Sequence, residues 1–289
     1  MAGILYVVAT LIGNLNDMTP RGIQVLKDVD LIAAEDTRNT MKLLAHFDIH
    51  TPMTANHKFN EHTAVSGLLS KLLEGKNIAV VSDAGTPCIN DPGYVLIKAA
   101  AKAGVQVIGV SGACAAVTAV SASGLCADTF RFMGFFPREK KDALAITDRI
   151  KNADKDLYIF YESPKRIKDT MKIIADELPM AETALCNDLT KAHERIYRGT
   201  PAEVLAELEA NPNAEKGEYA LLFHYDPGET TRELEDGDNA ISLEALLVDY
   251  IVKNGCTMKE AIAALAADKG IEAGKKEIYA ASLNLKELF

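Results

Sequence analysis

The sequence predicts an α/β protein with two sheet-containing domains, the first on a parallel sheet and the second on a mixed sheet, followed by a small C-terminal helical module. Three observations lead to this fold class. The chain has 289 residues, about the length of two average domains. Apolar β-rich runs alternate with helical patterns in its first part, which is typical of βαβ units and a mainly parallel sheet. Two strands follow one another directly in its second part, which indicates antiparallel pairing.

The first domain is predicted to span residues 1–122. Its strand and helix patterns read ILYVVAT (4–10) with TPRGIQVLKDV (19–29), DLIAAE (30–35) with TRNTMKLLAHF (37–47), NIAVVS (77–82) with GYVLIKAAAKAG (93–104), and VQVIGV (105–110) with ACAAVTAVSASG (113–124). Residues 103–127 lack charge, but they are rich in Gly, Ala and Ser. We expect a strand, a glycine turn and a helix there rather than a membrane span.

The second domain is predicted over residues 123–226, with the boundary falling between Ser121 and Asp128. Its strands read TFRFMGF, DLYIFYE, ETALCNDLT, ERIYRG and GEYALLFHY, with one helix from Glu139 and another opening at Pro164. Residues 227–240 are polar and acidic without periodicity, which indicates a linker. Residues 241–289 form three short amphipathic patterns with glycine stops. They predict a helical module, which is more often a small packing unit than a nucleic-acid binder.

Composition excludes several classes of protein. The net charge of −10 argues against a broad basic surface for nucleic acid, since neutralising phosphates needs clustered Lys and Arg. The N-terminus has no basic region ahead of its apolar run, so we interpret it as a first strand and expect no membrane partner. The cysteines are odd in number and form no CxxC pair, which favours a reducing cytoplasm and no zinc site. They are Cys88, Cys114, Cys126, Cys186 and Cys256.

Four loops follow the predicted parallel strands. We name them by order: loop one (10–17, TLIGNLND), loop two (34–40, AEDTRNT), loop three (82–94, SDAGTPCINDPGY) and loop four (110–116, VSGACAA). The carboxyl ends of parallel strands share one sheet edge, where ligands bind in such folds. We therefore expect a pocket made mostly of backbone and small side chains.

Several side chains in these loops suit ligand contact. Gly13, Gly85 and Gly112 would let a ligand approach the main chain closely. Asp83 could accept hydrogen bonds from a ribose or an ammonium group, and Thr86 could supply a hydroxyl. For Asp91, ahead of Pro92, we favour a helix N-cap instead. Asp36 or Thr37 can likewise cap the next helix.

Familiar catalytic signatures are missing. The sequence has no GxG, so it lacks the dinucleotide fingerprint, and Asn77 follows Gly75-Lys76 where a P-loop needs Ser or Thr. It contains neither an HExxH frame nor a GxSxG elbow. Metal chemistry and hydrolysis through a covalent intermediate are therefore not indicated. Two charged strand ends in the second domain, FYESPKR (160–166) and DLTKAHER (188–195), suit either the rim of a cleft or solvated loops.

Six motifs in this order and spacing resemble the bacterial 16S ribosomal RNA (cytidine-2′-O)-methyltransferases of the tetrapyrrole methylase family: IGNLNDMTPRG, AAEDTRNT, SDAGTPCINDPGY, GFFPREKK, FYESPKR and LTKAHER. The likeness runs from about residue 4 to residue 225. The chain departs from the family's pattern at Leu11, Ser111, Lys165 and Asn187-Asp188.

The resemblance implies a two-domain methylase, usually a homodimer, that binds S-adenosylmethionine between its domains and methylates a ribose 2′-hydroxyl of small-subunit ribosomal RNA. The implied cofactor residues are Thr10, Leu11, Ile12, Gly13, Asp83, Ala84, Gly85, Thr86, Gly112, Ala113, Cys114 and Ala115. Three carboxylates could take the hydroxyl proton, and two cations could anchor the RNA or stabilise an alkoxide. These catalytic candidates are Asp36, Glu162, Asp188, Arg38 and Lys191.

An acidic protein that acts on RNA needs a local basic path. Eight cationic side chains of the second domain could form one: Arg131, Arg138, Lys140, Lys141, Lys165, Arg166, Lys168 and Lys191. Two alternatives stay open at this point. The acceptor could be a tetrapyrrole, or the protein could be a non-catalytic relative that binds the ribosome or its RNA after substitutions in the cofactor loops.

Overall fold

The structure of the protein is a computed structural model. It describes residues 1–57, 61–153, 155–226, 243–266 and 274–286. Contacts group Met1–Thr230 in one compact unit and Thr231–Phe289 in another. The predicted linker 227–240 lies outside the described residues. Both sheets belong to the first unit, and the division at residues 122 and 123 stays a prediction.

The first sheet is entirely parallel. Its strands are β1 (Ile4–Val8), β2 (Leu31–Ala34), β3 (Met53–Ala55), β4 (Ile78–Val81) and β5 (Gln106–Val110). They lie in the order β3-β2-β4-β1-β5, and every neighbouring pair is parallel. The helices that connect and follow these strands are α1 (Pro20–Asp28), α2 (Thr37–His46), α3 (Glu61–Leu73), α4 (Tyr94–Lys102) and α5 (Ala115–Ser123). The predicted parallel sheet is confirmed, and so is the strand, turn and helix within residues 103–127.

Burial on both faces explains the composition of the central strands. Every residue of β2 and β4 is buried, which is typical of parallel strands covered by helices on both sides. One face packs Ile32 against Leu26 and Leu44. The other face packs Ile78 and its neighbours against helices α3 and α4. The strands are therefore fixed, and the loops at their carboxyl ends start from a rigid frame.

The second sheet is mixed. Its strands are β6 (Phe130–Phe135), β7 (Asp156–Glu162), β8 (Glu182–Asn187), β9 (Arg195–Gly199) and β10 (Tyr219–Tyr225), in the order β6-β7-β10-β8-β9. Strands β6 and β7 are parallel, whereas the other neighbouring pairs are antiparallel. The helices are α6 (Lys140–Lys151), α7 (Ile167–Glu177) and α8 (Pro201–Ala210). The predicted antiparallel pair is confirmed.

Helix α5 and loop one also pack on the second sheet. Ala116 and Ala119 of α5 and Ile12 of loop one share an apolar cluster with strands of that sheet, including Leu157 and Ala220. The small side chains of α5 let the helix lie close to the sheet. Loops one and four are thereby held against the second sheet, and this contact positions the site.

Several described elements differ from the sequence prediction. Strand β3 and helices α3 and α8 were not predicted. Strand β3 has three residues and is too short to show a period. Helix α8 carries a signal that could have found it, because Thr200 and Glu203 form a capping box. Helix α7 begins at Ile167 rather than Pro164, because residues 164–166 form a turn.

The second unit contains the helices α9 (Leu243–Asn254), α10 (Met258–Leu265) and α11 (Lys275–Lys286). Leu247, Ile262 and Ile278 pack together as its core. Thr257 and Glu260 form a capping box that starts α10. Within the described ranges, no helix of the protein combines the length and the apolar composition that a membrane crossing requires.

Candidate active site

Loops one, three and four are joined directly to one another. The Thr10 amide donates to the Gly85 carbonyl at 2.8 Å, and the Gly85 amide donates to the Leu11 carbonyl at 3.0 Å. The Thr86 hydroxyl donates to the Ala113 carbonyl at 3.0 Å. Gly85 has a φ of +75°, which glycine adopts more readily than any other residue. The predicted gathering of these loops at one sheet edge is confirmed.

Gly112 allows close packing of loop four against β1. A Cβ placed there would lie 2.8 Å from the Ala9 Cβ and 3.2 Å from the Ala9 carbonyl oxygen. The absence of a side chain lets loop four cross the end of β1. Gly13 is also covered, because a Cβ there would lie 2.6 Å from Cγ of Lys191. These contacts explain both glycines by packing on the Cβ side, and the expectation that they admit a ligand to the main chain stays a prediction.

A cavity of about 490 Å³ lies between the loops and the second sheet; we call it the larger cavity. It has the size and the mainly apolar walls of a small-molecule site. Six of the twelve predicted cofactor residues line it: Ile12, Ala84, Gly85, Thr86, Cys114 and Ala115. The second sheet and its flanking loops contribute Phe135, Tyr161, Glu162, Cys186, Glu218 and Tyr219, among others.

A second cavity, of about 340 Å³, is lined by residues of loops one and three and of helix α2; we call it the smaller cavity. Three predicted cofactor residues line it: Thr10, Leu11 and Asp83. Gly13, Gly112 and Ala113 are described residues that lie outside the walls of both cavities. The twelve predicted residues therefore fall into three groups: six line the larger cavity, three line the smaller one and three line neither.

Tyr161 connects the second sheet to loop four. Its hydroxyl accepts a hydrogen bond from the Ala116 amide at 3.1 Å, in the first turn of α5. Cys114, the N-cap of that helix, makes no capping hydrogen bond within the described residues. Rings of Phe132 and Phe135 hold the tyrosine ring, with centroids 4.8 and 5.9 Å away. Burial raises the pKa of Tyr161 to about 12, so its hydroxyl stays protonated at neutral pH.

Three carboxylates, Glu35, Asp83 and Asp91, act on one another electrostatically at this edge; we call them the acidic group. Burial, followed by the charges of Glu35 and Asp83, raises the pKa of Asp91 to about 6. Burial also raises the pKa of Glu35, which accepts a hydrogen bond from the Asp83 amide at 3.2 Å. The predicted capping role of Asp91 is wrong, because the N-cap of α4 is Gly93. Asp91 lines the larger cavity instead.

Asp36 and Arg38 form an ion pair in which Asp36 is half-buried and Arg38 is exposed. Asp36 is the N-cap of α2, as predicted, because its side chain accepts from the Arg38 amide. The Arg38 guanidinium donates to the same carboxylate at 2.7 Å. The Arg38 side chain and then its amide lower the pKa of Asp36 to about 2. Asp36 is therefore a weak base, and its own amide donates to Asp83 at 3.2 Å.

Glu162 is fully buried and its oxygens are already engaged. It accepts from the Ser163 amide at 2.6 Å and from the Thr170 hydroxyl at 2.7 Å. Arg166 pairs with it at 3.1 Å and also donates to the carbonyls of Phe136 and Pro137. These contacts order the turn before α7, so the geometry gives Glu162 a structural task beside the larger cavity.

Lys191 bridges loop one and the second sheet. Its ammonium donates to Asp188 at 2.7 Å and to Glu218 at 2.8 Å, while its aliphatic chain covers Gly13. Burial opposes the charge of Lys191, but the hydrogen bonds to Asp188 and Glu218 outweigh it and raise the pKa. Among the residues that the structure describes, four predicted catalytic side chains lie outside the walls of both cavities: Asp36, Arg38, Asp188 and Lys191.

Sequence reasoning missed several cavity residues. Asp91 and Tyr161 belong to motifs quoted in the sequence analysis. Their partial burial beside strand ends, which identifies them as cavity residues, depends on the fold and is not visible in the sequence. Asn39, Lys42 and His46 recur at helical spacing along α2, which places them on one face of that helix. Across the described part of the chain, no three His, Cys, Asp or Glu side chains come together in a way that could hold a metal ion.

Comparison with known proteins gives consistent results. The family model described as tetrapyrrole (corrin/porphyrin) methylases matches residues 4–205. Ribosomal RNA small subunit methyltransferase I of Halalkalibacterium halodurans is 44% identical over 277 residues, covering 96% of this chain and 93% of that protein. The protein of the same name from Bacillus subtilis is 41% identical with the same coverage.

Solved structures agree on the fold. Diphthine synthase superposes with a TM-score of 0.58 at 11% identity, covering 81% of this chain and 96% of that one. The cobalt precorrin-4 methyltransferase of cobalamin biosynthesis gives 0.55 at 19% identity, covering 76% of this chain and 94% of that one. At these identities the likeness shows the fold alone. The family match and the two close relatives show more: the chain belongs to the tetrapyrrole (corrin/porphyrin) methylases, with close relatives named ribosomal RNA small subunit methyltransferase I.

Proposed function

We propose that the protein is an S-adenosylmethionine-dependent methyltransferase that methylates the 2′-hydroxyl of a cytidine ribose in 16S ribosomal RNA. The observation that carries this proposal is the near full-length identity of 44% and 41% to proteins named ribosomal RNA small subunit methyltransferase I. The larger cavity supports it, because it offers a small-molecule site next to the joined loops.

The residues around the larger cavity fit the cofactor. Its apolar walls suit an adenine ring. Gly85 has no side chain that would crowd Ile12 in the cavity wall. Asp91 brings a carboxylate whose burial is unfavourable until a cation approaches it, and S-adenosylmethionine carries a sulfonium and an ammonium group. Ile12, Ala84, Gly85, Thr86, Cys114 and Ala115 would hold the cofactor. In this proposal Gly13, Gly112 and Ala113 shape the loops instead.

When bound, S-adenosylmethionine supplies a methyl group to the attacking ribose oxygen as the carbon–sulfur bond breaks and its electron pair stays on sulfur. The chain's own residues must orient the acceptor and remove its hydroxyl proton. Asp36 is held ionised by Arg38, and Glu162 already accepts three donors. Asp188 is bound to Lys191. Asp91 and Glu35, whose pKa values are raised, therefore join the candidates for the proton acceptor.

Fewer cations are available for RNA contacts than the sequence analysis predicted, because several of them form ion pairs within the protein. Arg131 pairs with Asp156, Arg166 with Glu162, and Lys191 with Asp188 and Glu218. Of the other five predicted cations, Lys168 is half-buried in α7, and four are exposed around the start of α6 and the turn before α7: Arg138, Lys140, Lys141 and Lys165. We assign them to phosphate contacts. Reversing Lys140 and Lys141 to Glu should weaken methylation of the ribosomal subunit; unchanged methylation would contradict this assignment.

The protein acts as a homodimer in this proposal, in the cytoplasm where ribosomal subunits are assembled. Exposed apolar side chains of the first unit support a second copy as partner, including Ile89, Tyr94, Val117, Phe130 and Phe135. Light scattering after gel filtration should give twice the chain mass. A monomer at micromolar concentration would refute the homodimer.

The function is tested by transfer of labelled methyl from S-adenosylmethionine to small ribosomal subunits that lack ribose methylation. Large subunits and a reduced tetrapyrrole serve as competing acceptors. Label on small subunits alone is expected. Label on the tetrapyrrole would reassign the acceptor, and absence of cofactor binding would favour a non-catalytic relative.

A further inference from the structure

The smaller cavity shares its wall with the larger one. The Thr10 to Leu11 segment and Ser82 to Asp83 line the smaller cavity, whereas Ile12 and residues 84–86 line the larger one. These segments are the ones joined by the backbone hydrogen bonds between loops one and three. Asp83 and Ala84 are consecutive exposed residues, so the two cavities adjoin at the carboxyl edge of the sheet. A ligand in each would meet its neighbour at this edge.

The smaller cavity is lined by buried polar, partly buried apolar and exposed basic side chains. Thr10 and Ser82 are buried, and Leu11 and Leu43 supply partly buried apolar surface. Lys42 and His46 are exposed and lie one turn apart on α2, so they present two hydrogen-bond donors side by side. Such a pair suits a phosphate group beside a cavity of about 340 Å³, near the small end of ligand sites.

Asp83 gives the cavity a fixed hydrogen-bond acceptor. Its Oδ1 accepts from the Asp36 amide at 3.2 Å, and its Oδ2 accepts from Nδ2 of Asn39 at 2.9 Å. A carboxylate can accept about four hydrogen bonds, so these two donors orient it and leave capacity for a ligand. Aspartate accepts from the exocyclic amino group of cytosine, whereas uracil presents an acceptor at the same position.

We propose that the smaller cavity is the acceptor site and takes one unstacked cytidine nucleotide of single-stranded RNA. Lys42 and His46 bind its phosphate, Asp83 reads the amino group of its base, and Asn39 orients Asp83. Specific RNA recognition uses bases that leave the stack, which suits a cavity for one pyrimidine. This inference rests on the proposed function and goes beyond it by assigning the acceptor a place separate from the cofactor.

The first test removes the phosphate contacts. The Lys42→Ala/His46→Ala double variant should raise KM for small ribosomal subunits about tenfold or more, while the calorimetric Kd for S-adenosylmethionine stays within about twofold. Lys102→Ala is the matched control, since it removes one exposed lysine from the last turn of α4, at the opposite sheet edge. It should change neither constant. An unchanged KM for subunits in the double variant overturns the proposal.

The second test reads base selection without catalysis. Ligand-detected NMR should show cytidine 5′-monophosphate binding about tenfold tighter than uridine 5′-monophosphate. Asp83→Asn should bring that ratio near one, and the double variant should weaken both nucleotides equally. Equal binding of the two nucleotides by the unmodified protein contradicts the assignment of Asp83. If the unmodified protein binds S-adenosylmethionine and methylates subunits while these variants match it, the acceptor site alone is wrong; if it does neither, the proposed function is wrong.

Discussion

Replacing Asp91 by asparagine should stabilise the protein at alkaline pH while weakening cofactor binding. Burial and the charges of Glu35 and Asp83 raise the pKa of Asp91 from 3.8 to about 6. The folded state therefore binds more protons than the unfolded state between about pH 4 and pH 6, and stability falls as the pH rises through that range. Above it, the ionised carboxylate imposes its full cost on the native protein. The asparagine side chain of the variant carries no charge and avoids this cost.

The magnitude follows from the shift. About two pKa units correspond to roughly 3 kcal/mol at 1.36 kcal/mol per unit. Because Asp91 is only partly buried, solvent screening reduces this to about 1 to 2 kcal/mol. The free energy of urea unfolding of Asp91→Asn should exceed that of the unmodified protein by this amount at pH 8. The two values should converge near pH 4, where both side chains are neutral.

The same charge should favour the cofactor. If Asp91 faces the cationic part of S-adenosylmethionine, the variant should bind it about tenfold more weakly at pH 8. Asp30→Asn is a control of opposite sign, because hydrogen bonds from the Asn77 amide and Lys76 lower the pKa of Asp30. That variant should be destabilised above the unfolded pKa and unchanged at low pH. A loss of stability in Asp91→Asn at pH 8, or an equal gain at pH 4, would refute the reasoning.

Three further variants test the contacts around the cavities. Tyr161→Phe removes the acceptor for the Ala116 amide, so the calorimetric Kd for S-adenosylmethionine should rise about fivefold, whereas Tyr279→Phe, at an exposed tyrosine of α11, should leave it unchanged. Gly112→Ala should lower the free energy of urea unfolding by about 1 to 3 kcal/mol because of its contact with Ala9; Gly109→Ala, with open space around it, is the control, and equal effects would contradict the packing argument. Lys191→Met keeps the chain over Gly13 but not its ion pairs, so kcat should fall about a hundredfold if Lys191 stabilises charge in the reaction, and an unchanged kcat would remove it from the catalytic candidates.

The sequence predicted the parts of the fold that have a strong period. Strands β2 and β4 are continuous apolar runs between turn residues, and their burial on both faces makes that pattern unambiguous. Strand β3 was not predicted, because three half-buried residues at the sheet edge are too few to show a period. The start of α7 was displaced because the turn before it is fixed by Arg166, which donates to the carbonyls of Phe136 and Pro137, a tertiary contact that local sequence does not reveal.

The site was predicted at the level of loops but not of side chains. Parallel strands place their carboxyl ends together, so the four loops could be located from the sequence alone. Which glycine faces a ligand depends on what crosses it, and Gly112 and Gly13 turned out to lie against Ala9 and Lys191. Asp91 resembles a helix cap in sequence, yet its surroundings in the fold give it a raised pKa and a place in the cavity wall.

The most direct test of the central claim is the chemical position of the transferred methyl group. Small ribosomal subunits without ribose methylation would be incubated with the protein and labelled S-adenosylmethionine, and the RNA would be digested and examined by mass spectrometry. The proposed function predicts one labelled nucleoside, a 2′-O-methylcytidine, and about tenfold less of it after the Lys42→Ala/His46→Ala change at subunit concentrations well below the KM of either protein. Label on a base, on another nucleoside or on no RNA at all would contradict it.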